Sequence, residues 1–108
     1  MDHYEANSRM IVFFDLPTTT KEERRIAARF RNDLIKENFY MLQYSVYVKF
    51  CHSSDTIEVY KSRIRYFIPP RGNVRILVIT EKQYKDMELV LGEKKIQEVQ
   101  TCEQLSFL

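Results

Sequence analysis

The sequence contains no tryptophan, only two glycines and three prolines, and only two cysteines among its 108 residues. The scarcity of glycine and proline leaves little room for long loops. Two cysteines without a CxxC spacing are too few for a disulfide framework. We therefore interpret Cys51 and Cys102 as free thiols, and leave open whether they lie close together.

Long apolar runs are also missing. No stretch approaches the roughly 18 apolar residues that a membrane-spanning helix needs. The first five residues, Met-Asp-His-Tyr-Glu, include two acids and lack the apolar centre of a secretory signal. These absences favour a cytoplasmic protein that has no membrane partner.

The residues that are present describe one folded domain. The chain is 44% hydrophobic and 13% aromatic, with seven tyrosines and seven phenylalanines, which suits a core that contains β-strands. Its length fits a single domain of modest stability, to which a partner subunit would add. We interpret residues 1–8 as a polar extension and residues 9–108 as one domain.

The first half of the chain predicts a strand, a helix and a second strand region. Residues 9–15 are apolar on both faces, which is typical of a buried central strand. A capping box, formed by Thr20 or Thr19 with the glutamate three residues later, starts a helix that ends near Glu37. Residues 39–50 alternate between apolar and polar side chains, as one bent strand or as two short strands.

The second half continues in the same way. An apolar stripe predicts a helix over about 56–67. Residues 74–80 are predicted to form another buried strand, and residues 81–87 a helical turn. Residues 88–91 predict a short fifth strand. The tail, residues 105–108, is too apolar for a free end, so we expect it to pack on a second subunit.

The resulting order is β-α-β-β-α-β with a C-terminal extra strand. Two helices on one face of an antiparallel sheet give an α+β fold of the ferredoxin-like type. This fold carries many functions and assigns none of them. Function must therefore come from particular residues.

Asp15, at the end of the first strand, is the first candidate. A carboxylate there can bind a hard cation, and magnesium prefers few protein carboxylates together with waters and phosphate oxygens. One carboxylate per chain is little for a nuclease, although a dimer would supply two. In the alternative interpretation Asp15 caps the turn into the first helix. Ser45 and Tyr47 are interpreted as surface-facing strand residues.

Basic residues form the second candidate site. The net charge is only +2, but basic residues are concentrated in two stretches, 21–36 and 61–75. Helix N-termini and arginines bind phosphates, and contacts of this kind are salt-dependent and tolerant of sequence. The alternative is an ordinary solvated helix face. The candidate nucleic-acid-binding residues are Lys21, Arg24, Arg25, Arg29, Arg31 and Arg71.

The remaining aromatic and histidine residues predict no site. His3 and His52 are isolated and are interpreted as surface side chains. Tyr40, Tyr44 and Tyr60 fall in apolar stripes, where core packing is the simpler interpretation than base stacking.

Three segments together resemble one known family. They are Phe13-Phe14-Asp15-Leu16-Pro17, then Gln43-Tyr44-Ser45-Val46-Tyr47, and then the turn and strand that run from Phe67 through Gln83. In this order and spacing, the chain resembles the Cas-two family of CRISPR-associated adaptation proteins, in the versions found beside type II systems. The resemblance covers about residues 9–108.

The resemblance implies a homodimer in which the C-terminal strand of each chain joins the sheet of its partner. It also implies a role in spacer acquisition, where the dimer bridges two dimers of the Cas-one integrase and holds double-stranded protospacer DNA. Family members are further described as magnesium-dependent endonucleases on RNA or duplex DNA. Asp15 would then be both the catalytic residue and the metal ligand.

Two alternatives remain on the same fold. One is a stand-alone protein of the ribonuclease-toxin type. The other is an RNA-binding module, which would need aromatic residues on the exposed sheet face in an RNP-like pattern with glycines. No such run occurs in the sequence.

Overall fold

The computed structural model describes residues 7–94. The expectations for the apolar tail, the strand exchanged between subunits, Cys102 and His3 lie outside the described residues. Within residues 7–94, none of the helices is long and apolar enough to cross a membrane.

Four antiparallel strands form a single sheet in the order β2-β3-β1-β4. This order, with two long helices between the strands, is the predicted ferredoxin-like α+β fold. The elements are β1 Ser8–Asp15, α1 Lys21–Lys36, β2 Tyr40–Gln43, β3 Val46–Cys51, α2 Ser54–Tyr66, β4 Asn73–Thr80 and α3 Glu81–Lys85.

The strand β1 is central, as predicted, and its alternate side chains enter two different clusters. Met10, Val12 and Phe14 face the two long helices and form the main core. Ile11 and Phe13 point to the opposite face, which Tyr84 of α3 partly covers. Both helices therefore pack on one side of the sheet, and the second side carries its own apolar cluster.

The helix α1 begins where the capping pattern predicts. The Thr20 side chain accepts a hydrogen bond from the Glu23 N–H, and the Glu23 carboxylate accepts one from the Thr20 N–H. The structure thus selects Thr20 over Thr19 as the N-cap. The hydrogen bond from the Thr20 backbone N–H to the Glu23 carboxylate is the main reason that the pKa of Glu23 lies below its usual value. Asn38, with φ of 68°, ends the helix in the left-handed region.

The helix α2 is capped by Ser53, whose hydroxyl accepts from the Thr56 N–H. Its predicted apolar stripe is confirmed. Ile57 and Ile64 are buried, and Tyr60 and Phe67 pack against the main core.

The region 39–50 consists of two short strands joined by a tight turn. Tyr44 and Ser45 form this turn, and Ser45 takes a φ of 62°. The Phe14 N–H donates to the Ser45 carbonyl oxygen at 3.1 Å, which ties the turn to the end of β1. Two expectations were wrong here. Tyr44 is exposed rather than packed in the core, and Tyr47 is buried rather than facing the surface.

The expectation that residues 74–80 form a buried strand was also wrong in one respect. The strand forms, but it lies at the edge of the sheet and its exposure alternates along its length. Leu77 is among its exposed residues. The cause is topological, because β4 has a neighbour only on the β1 side within the described chain.

The short fifth strand expected at residues 88–91 is not present in the structure. This segment follows α3 without pairing to the sheet, and Val90 and Leu91 are almost fully exposed. A strand is defined by hydrogen bonds to a neighbouring strand, and within residues 7–94 this segment pairs with neither edge of the sheet.

Burial controls the chemistry of Cys51, a free thiol in the main core. Desolvation raises the pKa of the Cys51 thiol to about 11. Since this value lies above that of the unfolded chain, the associated stability is present at neutral pH and is lost as the pH rises from about 9 to about 11. We expect Cys51→Ala to remove this alkaline loss from urea unfolding curves.

The same burial predicts that Cys51 is unreactive in the native protein. In a Cys102→Ser background, where Cys51 is the only remaining thiol, Ellman's reagent should react slowly near pH ~8 and rapidly after unfolding, because the thiolate is the reactive form. Rapid labelling of the native chain would contradict this account.

Candidate nucleic-acid site

A recess opens at the end of β1, where three parts of the chain meet. It has a volume of about 240 Å³ and is lined by the end of β1, the turn between β2 and β3, and the start of β4. Asp15 lies on one side of it, opposite Asn73 in the antiparallel register. The polar and aromatic side chains around it are Asp15, Tyr44, Ser45, Asn73 and Arg75.

The Asp15 carboxylate is exposed. The cap of α1 is made by Thr20 and Glu23. Within residues 7–94, the Asp15 side chain makes no hydrogen bond or ion pair, so its alternative role as a cap of the turn is wrong. The carboxylate therefore remains available for a ligand.

The backbone at Asp15 is held by a close approach of Gly72. A Cβ atom at residue 72 would lie 2.7 Å from the Asp15 carbonyl oxygen and 2.9 Å from Cδ2 of Leu16. Gly72 also has a φ of +100°, which L residues rarely adopt. Only glycine lets the turn before β4 pack against the end of β1.

We therefore expect Gly72→Ala to lower the free energy of unfolding by about 2 kcal/mol, through backbone strain and displacement of the Asp15 segment. Urea unfolding measures this loss. Gly92→Ala is the matched control, because Gly92 has a φ of +120° but its added Cβ would meet nothing closer than 3.7 Å. Equal losses in the two variants would show that the close approach is unimportant.

A buried tyrosine supports the recess from the helix side of the sheet. The rings of Tyr47 and Phe14 stack with centroids 5.7 Å apart. Burial raises the pKa of the Tyr47 phenol, while the nearby charge of Arg31 acts in the opposite direction. Tyr47 is thus a packing residue against Phe14, which precedes Asp15 in the chain.

The six basic candidates do not gather at this recess. Within the described chain, none of them lines it. Arg24 is occupied locally, since its Nη1 donates to the carbonyl oxygens of Thr18 and Thr19 at 3.1 and 2.8 Å. Arg25 pairs with Glu22, and Arg71 lies 3.6 Å from Glu23. Lys21 and Arg29 lie exposed along α1.

Arg75 and Asn73 are the recess residues that sequence analysis missed. Arg75 was seen only as a member of a basic stretch. The signal that identifies both is topological, because in this fold the first and last strands are antiparallel neighbours. The start of β4 must then lie beside the end of β1.

A second polar cluster, on the same face of the sheet, is structural. Arg9 is 1% exposed and its Nε donates to Glu81 at 2.9 Å. Its Nη1 also donates to the Tyr40 hydroxyl at 3.3 Å, and its guanidinium lies over the Tyr84 ring at 4.3 Å. Sequence patterns do not indicate this contact, since Arg9 and Glu81 are 72 positions apart.

Fold and recess together define a class: small ferredoxin-like α+β proteins with a carboxylate at the end of the first strand. The family model described as CRISPR associated protein Cas2 matches residues 8–87. This chain belongs to that family. The resemblance noted in the sequence is thereby confirmed.

Individual relatives agree with the family match. A protein from Ligilactobacillus salivarius is 50% identical over 91 residues, which cover 84% of this chain and 89% of the relative. One from Flavobacterium psychrophilum is 43% identical over 96 residues, covering 89% and 84%. One from Treponema denticola is 43% identical over 100 residues, covering 93% and 99%. Each is named CRISPR-associated endoribonuclease Cas2.

Proposed function

We propose that this chain is a CRISPR adaptation protein that works as a homodimer, binds nucleic acid and cleaves it at Asp15 with a divalent metal ion. The observation that carries the enzymatic part is the recess, where a carboxylate without protein partners in residues 7–94 lies beside Arg75. The names of the relatives favour the same activity. They also favour the CRISPR role over that of a stand-alone toxin-like ribonuclease or an RNA-binding module.

The side chains of the recess suit magnesium. Asp15 supplies a carboxylate oxygen, and Asn73 and Ser45 add an amide oxygen and a hydroxyl. Within residues 7–94, no group of three or more His, Cys, Asp and Glu side chains could hold a metal ion. Magnesium does not require such a group, because it commonly uses one or two carboxylates, several waters and the phosphates of the substrate.

In this proposal Asp15 holds the ion and Arg75 binds a phosphate of the substrate. A bound magnesium ion supplies Lewis-acid polarisation of the phosphodiester and a hydroxide nucleophile. The guanidinium of Arg75 neutralises phosphate charge and fixes its position by paired hydrogen bonds.

Cleavage assays test the enzymatic part. Purified protein is incubated with labelled single-stranded RNA and with duplex DNA, in magnesium or in EDTA. We expect cleavage in magnesium, its loss in EDTA and its return when magnesium is restored. Cleavage that persists in EDTA would exclude the metal, and the absence of cleavage on both substrates would leave only the binding role.

Duplex binding is the second part of the proposal, and the exposed side of α1 supports it. Lys21, Arg25 and Arg29 recur every four residues, so they lie along one helical face, and all three are exposed. We expect Lys21→Gln/Arg29→Gln to weaken binding to duplexes of any sequence and to reduce the slope of log K against log salt by about 2. Lys82→Gln on α3 is the control, and an equal loss there would exclude α1.

The homodimer and the Cas-one integrase are the proposed partners. The second face of the sheet carries an apolar cluster, in which Ile11 and Val48 are buried and Phe13, Leu42 and Val46 are partly buried. Exposed apolar residues continue from it through Met87, Leu89, Val90 and Leu91. Such a surface favours a protein interface.

Light scattering after gel filtration should give the mass of two chains. Pull-down with the integrase should recover a complex at low salt. A monomeric mass would overturn the proposed homodimer. The absence of a complex at low salt would overturn the proposed partnership with the integrase.

A further inference from the structure

Tyr44 has a position that packing does not explain. Its side chain is 76% exposed, and it lines the same recess as Asp15. Large aromatic side chains are normally buried, because their apolar surface is costly to hydrate. An exposed aromatic at a polar recess suggests a ligand.

The turn fixes the backbone on which Tyr44 stands. Ser45 adopts a φ of 62°, and its carbonyl oxygen accepts the Phe14 N–H at 3.1 Å, one residue before Asp15. Tyr44 is therefore tied to the strand that carries the carboxylate. A tyrosine side chain has only two rotatable bonds, so it loses little conformational entropy when it binds.

The other side chains of the recess complement this ring. Arg75 provides a cation for a phosphate, and Asn73 provides donors and an acceptor for polar groups of a base or a sugar. An aromatic face, a guanidinium and an amide together match one nucleotide with its base unstacked. A base inside a duplex already stacks on its neighbours and offers no free face.

We propose that Tyr44 is a positioning residue on which an unpaired base stacks, while Arg75 binds the adjoining phosphate and so places the phosphodiester beside Asp15. This inference rests on the proposed function and makes it more specific. The recess selects single-stranded or locally unpaired nucleic acid, whereas the face of α1 binds duplex irrespective of pairing at the recess.

Binding measurements without magnesium test this assignment, since cleavage is then prevented. Fluorescence anisotropy compares a labelled single-stranded RNA with a duplex DNA for the wild type, Tyr44→Ala, Tyr44→Phe and Tyr66→Ala. Tyr66 is the matched control, because it is 93% exposed but lies outside the recess.

We expect Tyr44→Ala to weaken single-strand binding about tenfold, in the range of one base stacked on an aromatic ring. Duplex binding should change less than about twofold, as expected for contacts to the phosphate backbone. Tyr44→Phe should retain wild-type affinity because the ring remains, and Tyr66→Ala should behave as wild type. A 2-aminopurine base in the RNA should be quenched by wild type and Tyr44→Phe but less by Tyr44→Ala.

Other outcomes separate this inference from the proposed function. If Tyr44→Ala binds single strands as well as the wild type, or loses single-strand and duplex binding equally, the stacking role is wrong while the proposed function stands. If the wild type binds duplex but no single strands, the same conclusion follows. If it binds neither, both proposals fall together.

Discussion

Asp15→Asn should reduce metal-dependent cleavage by at least about 100-fold, because metal polarisation of a phosphodiester contributes several kcal/mol and each 1.36 kcal/mol is a factor of ten. The substitution keeps the size of the side chain and removes the charge that holds the cation. The fold should persist, since Asp15 is exposed at the end of a strand. Initial rates on a labelled RNA at several magnesium concentrations measure the effect.

The dependence on metal concentration gives the sharper result. If Asp15 binds the ion, the remaining activity of Asp15→Asn should need more magnesium to reach half its maximum. Asp86→Asn is the control, because Asp86 is an exposed acid beside α3 that pairs with Lys82 and lies outside the recess. Unchanged rates and unchanged metal dependence in Asp15→Asn would remove Asp15 from the chemistry.

The same substitution separates the two roles in cells. Lengthening of the CRISPR array reports spacer acquisition directly. If arrays stop growing while the Asp15 variant still forms a dimer, acquisition requires the carboxylate or its metal. If arrays keep growing, the protein serves adaptation by holding DNA and integrase together, and cleavage is a separate activity.

Local rules were sufficient for much of the fold. The cap at Thr20, the stripe of α2 and the two-sided burial of β1 each depend on residues close together in sequence. Side-chain periodicity and capping hydrogen bonds act over three or four residues, so these features can be predicted from the sequence alone. They determine which elements form and which faces they bury.

The errors arose where a turn or a neighbouring strand decides the outcome. The turn at Tyr44 and Ser45 has no glycine or Asn-Gly pair, so the alternating pattern runs through it without a break. Tyr40, Leu42, Val46 and Val48 nevertheless keep the predicted common face of the sheet. Tyr44 is exposed because it lies in the turn, and Tyr47 is buried because the opposite face of β3 packs in the main core, the reverse of their predicted positions.

The candidate site was only partly visible for a similar reason. Asp15 stands out because it ends an apolar strand. Its neighbours Asn73 and Arg75 are distant in sequence and meet it only through the antiparallel register of β1 and β4. Gly72 shows the same dependence, because its small size matters only once its turn packs on Asp15.

The buried pair of Arg9 and Glu81 is the extreme case of a contact that only the tertiary fold creates. We expect Glu81→Ala to lower the free energy of unfolding by about 3 kcal/mol, because it removes the carboxylate that accepts hydrogen bonds from the buried guanidinium of Arg9, and breaking a buried ion pair is strongly destabilising. Arg9 is 1% exposed and Glu81 14%. Small domains have only about 5–15 kcal/mol of stability in total, so this loss is severe.

Urea unfolding at one fixed protein concentration measures the loss, since dimer formation would otherwise shift the apparent stability. Glu22→Ala is the matched control. Its pair with Arg25 is exposed on both sides, and exposed ion pairs contribute little to stability. If both substitutions lower the free energy of unfolding by the same amount, the burial of Arg9 does not make Glu81 essential to stability.

A double variant distinguishes the loss of the ion pair from the loss of packing. Arg9→Met/Glu81→Leu removes both charges and keeps most of the apolar volume, and such replacements are often neutral or stabilising. We expect it to recover most of the stability that Glu81→Ala loses. The ring of Tyr84 and the hydroxyl of Tyr40, which contact Arg9, would then pack against methionine. A double variant as unstable as Glu81→Ala would mean that the geometry of the ion pair, and not merely its neutrality, fixes α3 on the sheet.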